Sequence, residues 1–276
     1  MFHYEFMVHA FEAGTLVSIV GGIVGYFVVL RRSSFAAHAL SHIGFAGAAG
    51  AALFAVNPVF GLLLFTNAGG VSIAILSPRA AHRDVQIGTV LAFMLGLGVL
   101  FISLYSGYAT EAYSILFGQI LGISSSDVIL TLIASLVILL GVGVVYRPLL
   151  FASLDEEVAE AKGMPMLLLG ILFMMFVALA TSIAVQVVGV LLIFSLMVTP
   201  AAIAQQIAKQ PQRAILVSIA IALAATWTGL SISFYDPYPA PPSFFITTIV
   251  FSLYIILRVL LPRIKTKRPP GLSPLP

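Results

Sequence analysis

The sequence predicts an all-α fold, a polytopic bundle of about eight or nine membrane-crossing helices, and three observations carry that prediction. Of its 276 residues 61% are hydrophobic and only 8% charged, against about 25% charged in soluble domains. A globule of this size would have too few polar groups to coat itself. The mean hydropathy is +1.13. The apolar residues also gather into runs of the length a helix needs, roughly 20 residues, to cross about 30 Å of hydrocarbon. A soluble enzyme, a nucleic-acid binder and a disordered scaffold are excluded together. The absence of cysteine removes disulfide frameworks, thiolate zinc sites and cysteine nucleophiles. A net charge of +3 reflects where a few arginines fall on a membrane protein, not a nucleic-acid surface.

Taken in order, the candidate spans are residues 13–30, 35–56, 58–76, 85–105, 128–146, 164–183, 185–204, 214–234 and 243–261, each bounded by charge, Pro or Gly. The turns between 56 and 58 and between 183 and 185 are very short. Two neighbouring spans there can instead be broken or re-entrant helices, which would leave eight. Short loops rich in Lys and Arg stay on the cytoplasmic side, and all thirteen basic residues fall on one face: Arg31 and Arg32, Arg79 and Arg83, Arg147 and Lys162, Lys209 and Arg213, and the five from Arg258 to Arg268. The other face carries Glu5, Glu12, Glu111, Asp127 and Asp236 with no Lys or Arg. An odd number of spans, N-terminus outside and C-terminus cytoplasmic, fits every one of these charges. The start lacks the basic stretch of a signal peptide, so the first span is expected to be retained. Residues 1–264 read as one transmembrane domain and 265–276 as a basic, Pro-rich cytoplasmic tail without fixed structure. Small residues crowd at Gly21, Gly22 and Gly25 and again from Gly44 to Ala52; such runs let helix backbones approach closely, either as a moving interface or as ordinary tight packing.

Two constellations bear chemistry. Between the fifth and sixth spans lies a charged inner loop, RPLLFASLDEEVAEAKG. Ser153 is placed to cap a short helix whose first turn holds Asp155, Glu156 and Glu157, where the helix dipole favours acids. Ala159 and Gly163 lie four apart on one face. Such a helix suits a groove on another protein, or is simply a solvated loop. The second is His38 and His42, at the start of the glycine-rich second span. A spacing of four puts both imidazoles on one helix face with Cβ atoms about 5 to 6 Å apart, close enough for two nitrogens to bind one metal ion. Ionisable groups inside spans are expensive and mark ion paths; the bland alternative is a pair of packing histidines. Asn67 and Gln186, also within spans, either bridge helices or line a path. His3 and His9 lie outside, and His82 beside Arg79 and Arg83 reads as surface. The segment 113–118, followed by Ser124 to Asp127, is an outer loop fit to form a short re-entrant helix before an Asp-capped fifth span.

No GxxxxGK[ST] occurs, so the chain has no P-loop of its own; HExxH and GxSxG are missing too. No span contains the carboxylate that a proton-coupled transporter commonly uses. Four ordered features then decide the comparison: Arg31-Arg32-Ser33-Ser34-Phe35 through Ser41-His42, Leu116-Phe117-Gly118, Asp155-x-Glu157-x-Ala159-x-x-x-Gly163, and Gln186-x-x-Gly189 leading to Thr199-Pro200-Ala201-Ala202. Across about residues 14–210 the chain resembles the permease subunits of bacterial ABC importers for zinc, manganese and iron.

The resemblance implies a multi-pass protein of the bacterial cytoplasmic membrane that is not itself an enzyme. It would be one of two permease copies, a homodimer, bound to two cytosolic ABC ATPases and supplied by an extracytoplasmic metal-binding protein. No cofactor would be held permanently; the divalent metal ion is cargo. The segment Asp155, Glu156, Glu157, Ala159, Gly163 matches the coupling helix that docks into an ATPase. His42 matches a histidine of the family's metal path, and His38 stands where the family has Asp. Two imidazoles are softer than an imidazole and a carboxylate and suit zinc or copper better than manganese or magnesium. A gradient-driven secondary transporter and an ABC permease for siderophore or cobalamin are the rival readings.

Overall fold

The computed structural model describes residues 1, 3–76, 83–104, 120–236 and 240–265. They form α1 (Glu5–Leu30), α2 (Ser34–Leu53), α3 (Pro58–Leu76), α4 (Arg83–Leu104), a 3-10 turn (Ile120–Gly122), α5 (Ser125–Leu154), the short α6 (Glu156–Ala161) and α7 (Met166–Val188). A broken element follows, made of α8 (Val190–Ile193), a π turn (Phe194–Val198) and α9 (Thr199–Ile207), and the chain closes with α10 (Pro211–Tyr235) and α11 (Pro242–Lys265). Among the described residues there is no strand. Arg79, His82, Glu111, the 113–118 segment with Leu116-Phe117-Gly118, and residues 266–276 of the tail lie outside the described residues.

Among the described residues seven helices are long and apolar enough to cross a membrane: α1, α3, α4, α5, α7, α10 and α11. The second and seventh expected spans fall short of that standard for different reasons. α2 has the length, but His38, Ser41, His42 and its glycines dilute its apolar character. The expected span 185–204 is interrupted, because α7 runs on to Val188 and the chain breaks at Gly189, not between 183 and 185. There φ is 85° and ψ 164°, a region open essentially to glycine alone. Two other boundaries also move. α1 starts at Glu5, eight residues before the expected 13, and α5 runs through Pro148 to Leu154 instead of stopping at 146.

Burial sorts the helices into an inner and an outer set. In their most apolar stretches α1 and α7 are 67% buried, whereas α4 and α11 are 17% buried. α2 is as enclosed as α1, with thirteen of its twenty residues buried, and packs against α3, α4 and α7. The outer set turns large side chains such as Phe93, Val99, Leu140 and Val144 away from the protein, as lipid-facing positions require.

Lipid gives helices no hydrophobic reason to associate, so close backbone approach has to supply the contact. The α2–α3 seam does this with Gly47 and Gly61: a Cβ on Gly47 would lie 2.2 Å from the Gly61 carbonyl oxygen, and one on Gly61 would lie 2.1 Å from that of Gly47. Neither can carry a methyl unless the helices separate. Gly143, by contrast, has nothing within 4 Å of such a Cβ.

Alanine is worth about 1 kcal/mol more than glycine inside a helix on propensity alone, while overpacking costs about 1–3 kcal/mol. Gly143→Ala is therefore expected to leave thermal unfolding in detergent unchanged or slightly later. Gly47→Ala is expected to bring it forward, and equal behaviour of the two variants would show that the seam is not tight.

Candidate functional site

α1 ends in a reversal that aims α2 back into the bundle. Ser33 donates its N–H to the Val28 carbonyl at 2.8 Å and Arg32 its N–H to that of Val29 at 3.1 Å, the paired bonds of a Schellman turn. Arg32 occupies the left-handed position, with φ of 53°. Arg31 lays its guanidinium over the Phe173 ring of α7, 4.9 Å from the centroid. α2 then begins, and His38 comes just over one turn in.

As the spacing requires, the two imidazoles meet: the His38 and His42 ring centroids are 4.8 Å apart, edge to face at 84°. Both side chains are half-buried, and Phe45 continues the same face one turn on. Among the described residues neither imidazole makes a hydrogen bond, whereas a buried structural histidine would normally be tied by one. Nor do any three of His, Cys, Asp and Glu gather to hold a metal ion among the described residues. The chain offers two neutral nitrogen ligands on a partly open face, which on its own is half of a four-ligand site.

Phe194 covers one flank of His38, with centroids 6.1 Å apart at 88°. It belongs to the π turn, in which Thr199 donates its N–H to the Phe194 carbonyl. Sequence reasoning passed over it. The nearest signal was the glycine at 189 in a stretch otherwise continuous and apolar.

Gln186 and Asn67 are not brought to the histidines. Gln186 donates Nε2 to Asp127 Oδ1 at 2.9 Å, tying the end of α7 to the start of α5. Asp127 Oδ2 in turn accepts the Ser124 hydroxyl at 2.6 Å and the Ser124 N–H at 3.1 Å. The cap of α5 is thus Ser124, with Asp127 closing a capping box from the third position, not Asp127 alone. Beside them His9 of α1 reaches the Ile123 carbonyl and the Ser125 hydroxyl, both at 3.2 Å. Asp127 and Gln186 line a cavity of about 170 Å³ with Ala48, Pro58, Leu62 and Val185. Asn67 donates Nδ2 to the Leu63 carbonyl of its own helix, 2.8 Å away.

At the other end of α5 the short acidic helix forms as expected, with two corrections. Asp155, not Ser153, is its cap and accepts the Val158 N–H at 3.0 Å; the Ser153 hydroxyl bonds back to Leu149 because α5 has not yet ended. Ala159 is fully buried against Ala152 and Leu169, so it anchors the helix to its own chain. What faces outward is Glu157, Val158, Glu160 and Ala161. Gly163 closes the helix in a second Schellman turn: its φ is 75°, and Met164 donates its N–H to the Ala159 carbonyl at 3.2 Å.

Three comparisons bear on this arrangement. The family described as the ABC 3 transport family matches residues 3–260. The chain is 28% identical to the manganese transport system membrane protein MntC of Listeria monocytogenes, covering 92% of this chain and 91% of that protein. It is 29% identical to the high-affinity zinc uptake system membrane protein ZnuB of Buchnera aphidicola, covering 87% and 92%. Among solved structures, PsaBC from Streptococcus pneumoniae superposes with a TM-score of 0.80 at 29% identity, over 92% of this chain and 91% of that one.

The Asp127 carboxylate ties two helices and closes a cap, whereas Gln186 contributes only one of those bonds. Asp127→Ala is expected to lower thermal stability by more than Gln186→Ala, because it removes the bonds from the Ser124 N–H and hydroxyl as well as the tie to Gln186. Melting curves of both variants in the same detergent check the order, and the reverse order would show that the outer tie is not what holds α5 and α7 together.

Proposed function

The chain belongs to the ABC 3 transport family, and on that premise we propose that it is the membrane permease of an ATP-driven importer for a divalent metal ion, zinc first, with manganese or iron as the other cargoes. The observation that carries this reading is the His38–His42 pair, 4.8 Å apart on a half-buried face of α2. Relatives named for both manganese and zinc support the class of cargo. Two imidazoles in place of an imidazole and a carboxylate favour zinc, the softer of those two ions.

Nine crossings result when α2 and the broken α8–α9 element span the bilayer along with the seven long helices. The N-terminus is then outside and the basic C-terminus inside, in the bacterial cytoplasmic membrane. A second copy of the chain presents its own histidine pair to the half-open face of the first, completing four ligands around an ion in transit. An extracytoplasmic binding protein delivers the ion, and two cytosolic ATPases supply the work. Those ATPases act on the outward face of α6, where Glu157, Val158 and Glu160 are exposed, and the buried Ala159 transmits the push to α5 and α7. The site faces each side of the membrane in turn.

In proteoliposomes containing the permease with its ATPase, His42→Ala is expected to abolish ATP-driven zinc uptake while the two subunits still co-purify; undiminished uptake would remove the histidines from the path. His38→Asp restores a negative charge beside the ion and is expected to shift preference from zinc towards manganese in competition assays. A bulky residue at Gly163 has space for its side chain but not the right backbone, at about 1 kcal/mol or more in the left-handed region. It is expected to uncouple ATP hydrolysis from transport. Uptake by the wild-type chain under an ion gradient alone, with no nucleotide, would instead establish a secondary transporter.

A further inference from the structure

We propose that Phe194, presented by the π turn between α8 and α9, is the aromatic stop that closes the ion path at His38; the proposal rests on the permease reading above and adds a gating residue to it. The π turn gives Phe194 an unusual orientation. In an α-helix, residues three and four apart share a face, so Phe194 would lie beside Met197 and Val198. The i→i+5 bond from Thr199 N–H to the Phe194 carbonyl inserts one residue into the period and turns Phe194 away from Met197.

The two sides of this turn are treated differently by their surroundings. Met197 is 2% exposed and is pressed against α1, where a Cβ on Gly25 would lie 1.9 Å from the Met197 carbonyl oxygen. Leu196 and Val198 are buried as well. Phe194 is 42% exposed, with its ring edge to face on His38. The rings of Phe194, His38 and His42 therefore stand in series, each roughly perpendicular to the next. A large apolar ring on the flank of two imidazoles shuts a path by dewetting. Its backbone is well suited to moving. The left-handed break at Gly189 frees it on one side and the π turn on the other, and π turns are found preferentially at functional positions. Realignment of the turn to an α-helical period would carry Phe194 off His38 without disturbing the anchored Met197.

The test uses the full permease–ATPase complex in proteoliposomes holding a zinc-sensitive dye. Phe194→Ala is expected to raise zinc flux several-fold in the absence of ATP, while Phe194→Leu, still bulky and apolar, keeps the path shut. An independent readout covers the case in which the alanine variant transports nothing. The chain has no cysteine, so Cys placed at His42 is its only thiol, and its labelling by a membrane-impermeant reagent is expected to be several-fold faster when Phe194 is Ala than when it is Phe. Wild-type transport combined with no leak and no change in labelling overturns the stop and leaves the permease reading standing. Absence of ATP-driven flux in the wild-type complex overturns both.

Discussion

Two imidazoles 4.8 Å apart on a helix that lipid would reject set the terms for everything around them. A helix carrying His38, Ser41 and His42 cannot face hydrocarbon, so it has to be enclosed by other helices. Enclosure without a hydrophobic drive needs backbones in near contact. That is what the glycine and alanine run of α2 provides, and why Gly47 and Gly61 leave no room for a methyl group. The longer, more apolar helices can then be spent on the outside. Polarity at the centre and oiliness at the rim are one constraint seen from two sides.

Several of the ties between helices lie towards the ends of the bundle. At one end, Asp127 joins Gln186 and the α5 cap. At the other, Arg31 is stacked on Phe173, and Ala159 fixes the acidic helix to α5 and α7. Among the described residues between these anchors, the stretch from Gly189 to Val198 departs from regular helix, and its Phe194 lies against His38. The alternating access proposed above needs such a place. Force applied at a rigid end moves the middle only if the middle has somewhere to bend.

Much of the fold was legible in the sequence, because length and hydropathy are enough to mark membrane helices: α3 ends where its pattern ends, and the histidine spacing alone predicts that the two rings share a face. What could not be read came from partners distant in sequence. Gln186 looks like any polar residue in a span until Asp127, 59 positions away, is placed opposite it. Ala159 reads as a contact for another protein until α7 folds back and buries it. Gly189 signals a break, but an apolar run gives no sign that the next turn is of π type. Such a turn arises from what Phe194, Met197 and Gly25 allow one another, and no local propensity encodes that.

On the permease reading proposed above, a pair of imidazoles without a carboxylate has a consequence for how tightly an ion can be held. A divalent cation leaving water loses hydration worth far more than any two neutral ligands return, and in a low-dielectric interior only negative charge offsets much of the difference. Glu12 lies two turns into α1 and the other acids of the described residues are near helix ends or in α6; none gathers with the histidine pair. On that reading the proposed site is shallow, even with four imidazoles from two copies of the chain. Shallow binding is the right regime for transit, since an ion that falls into a deep well does not come out the other side. The permease reading then divides the labour: four nitrogens can prefer one metal over another, but the affinity that draws a scarce ion from solution has to come from the proposed binding protein, and the work of release from the proposed ATPases.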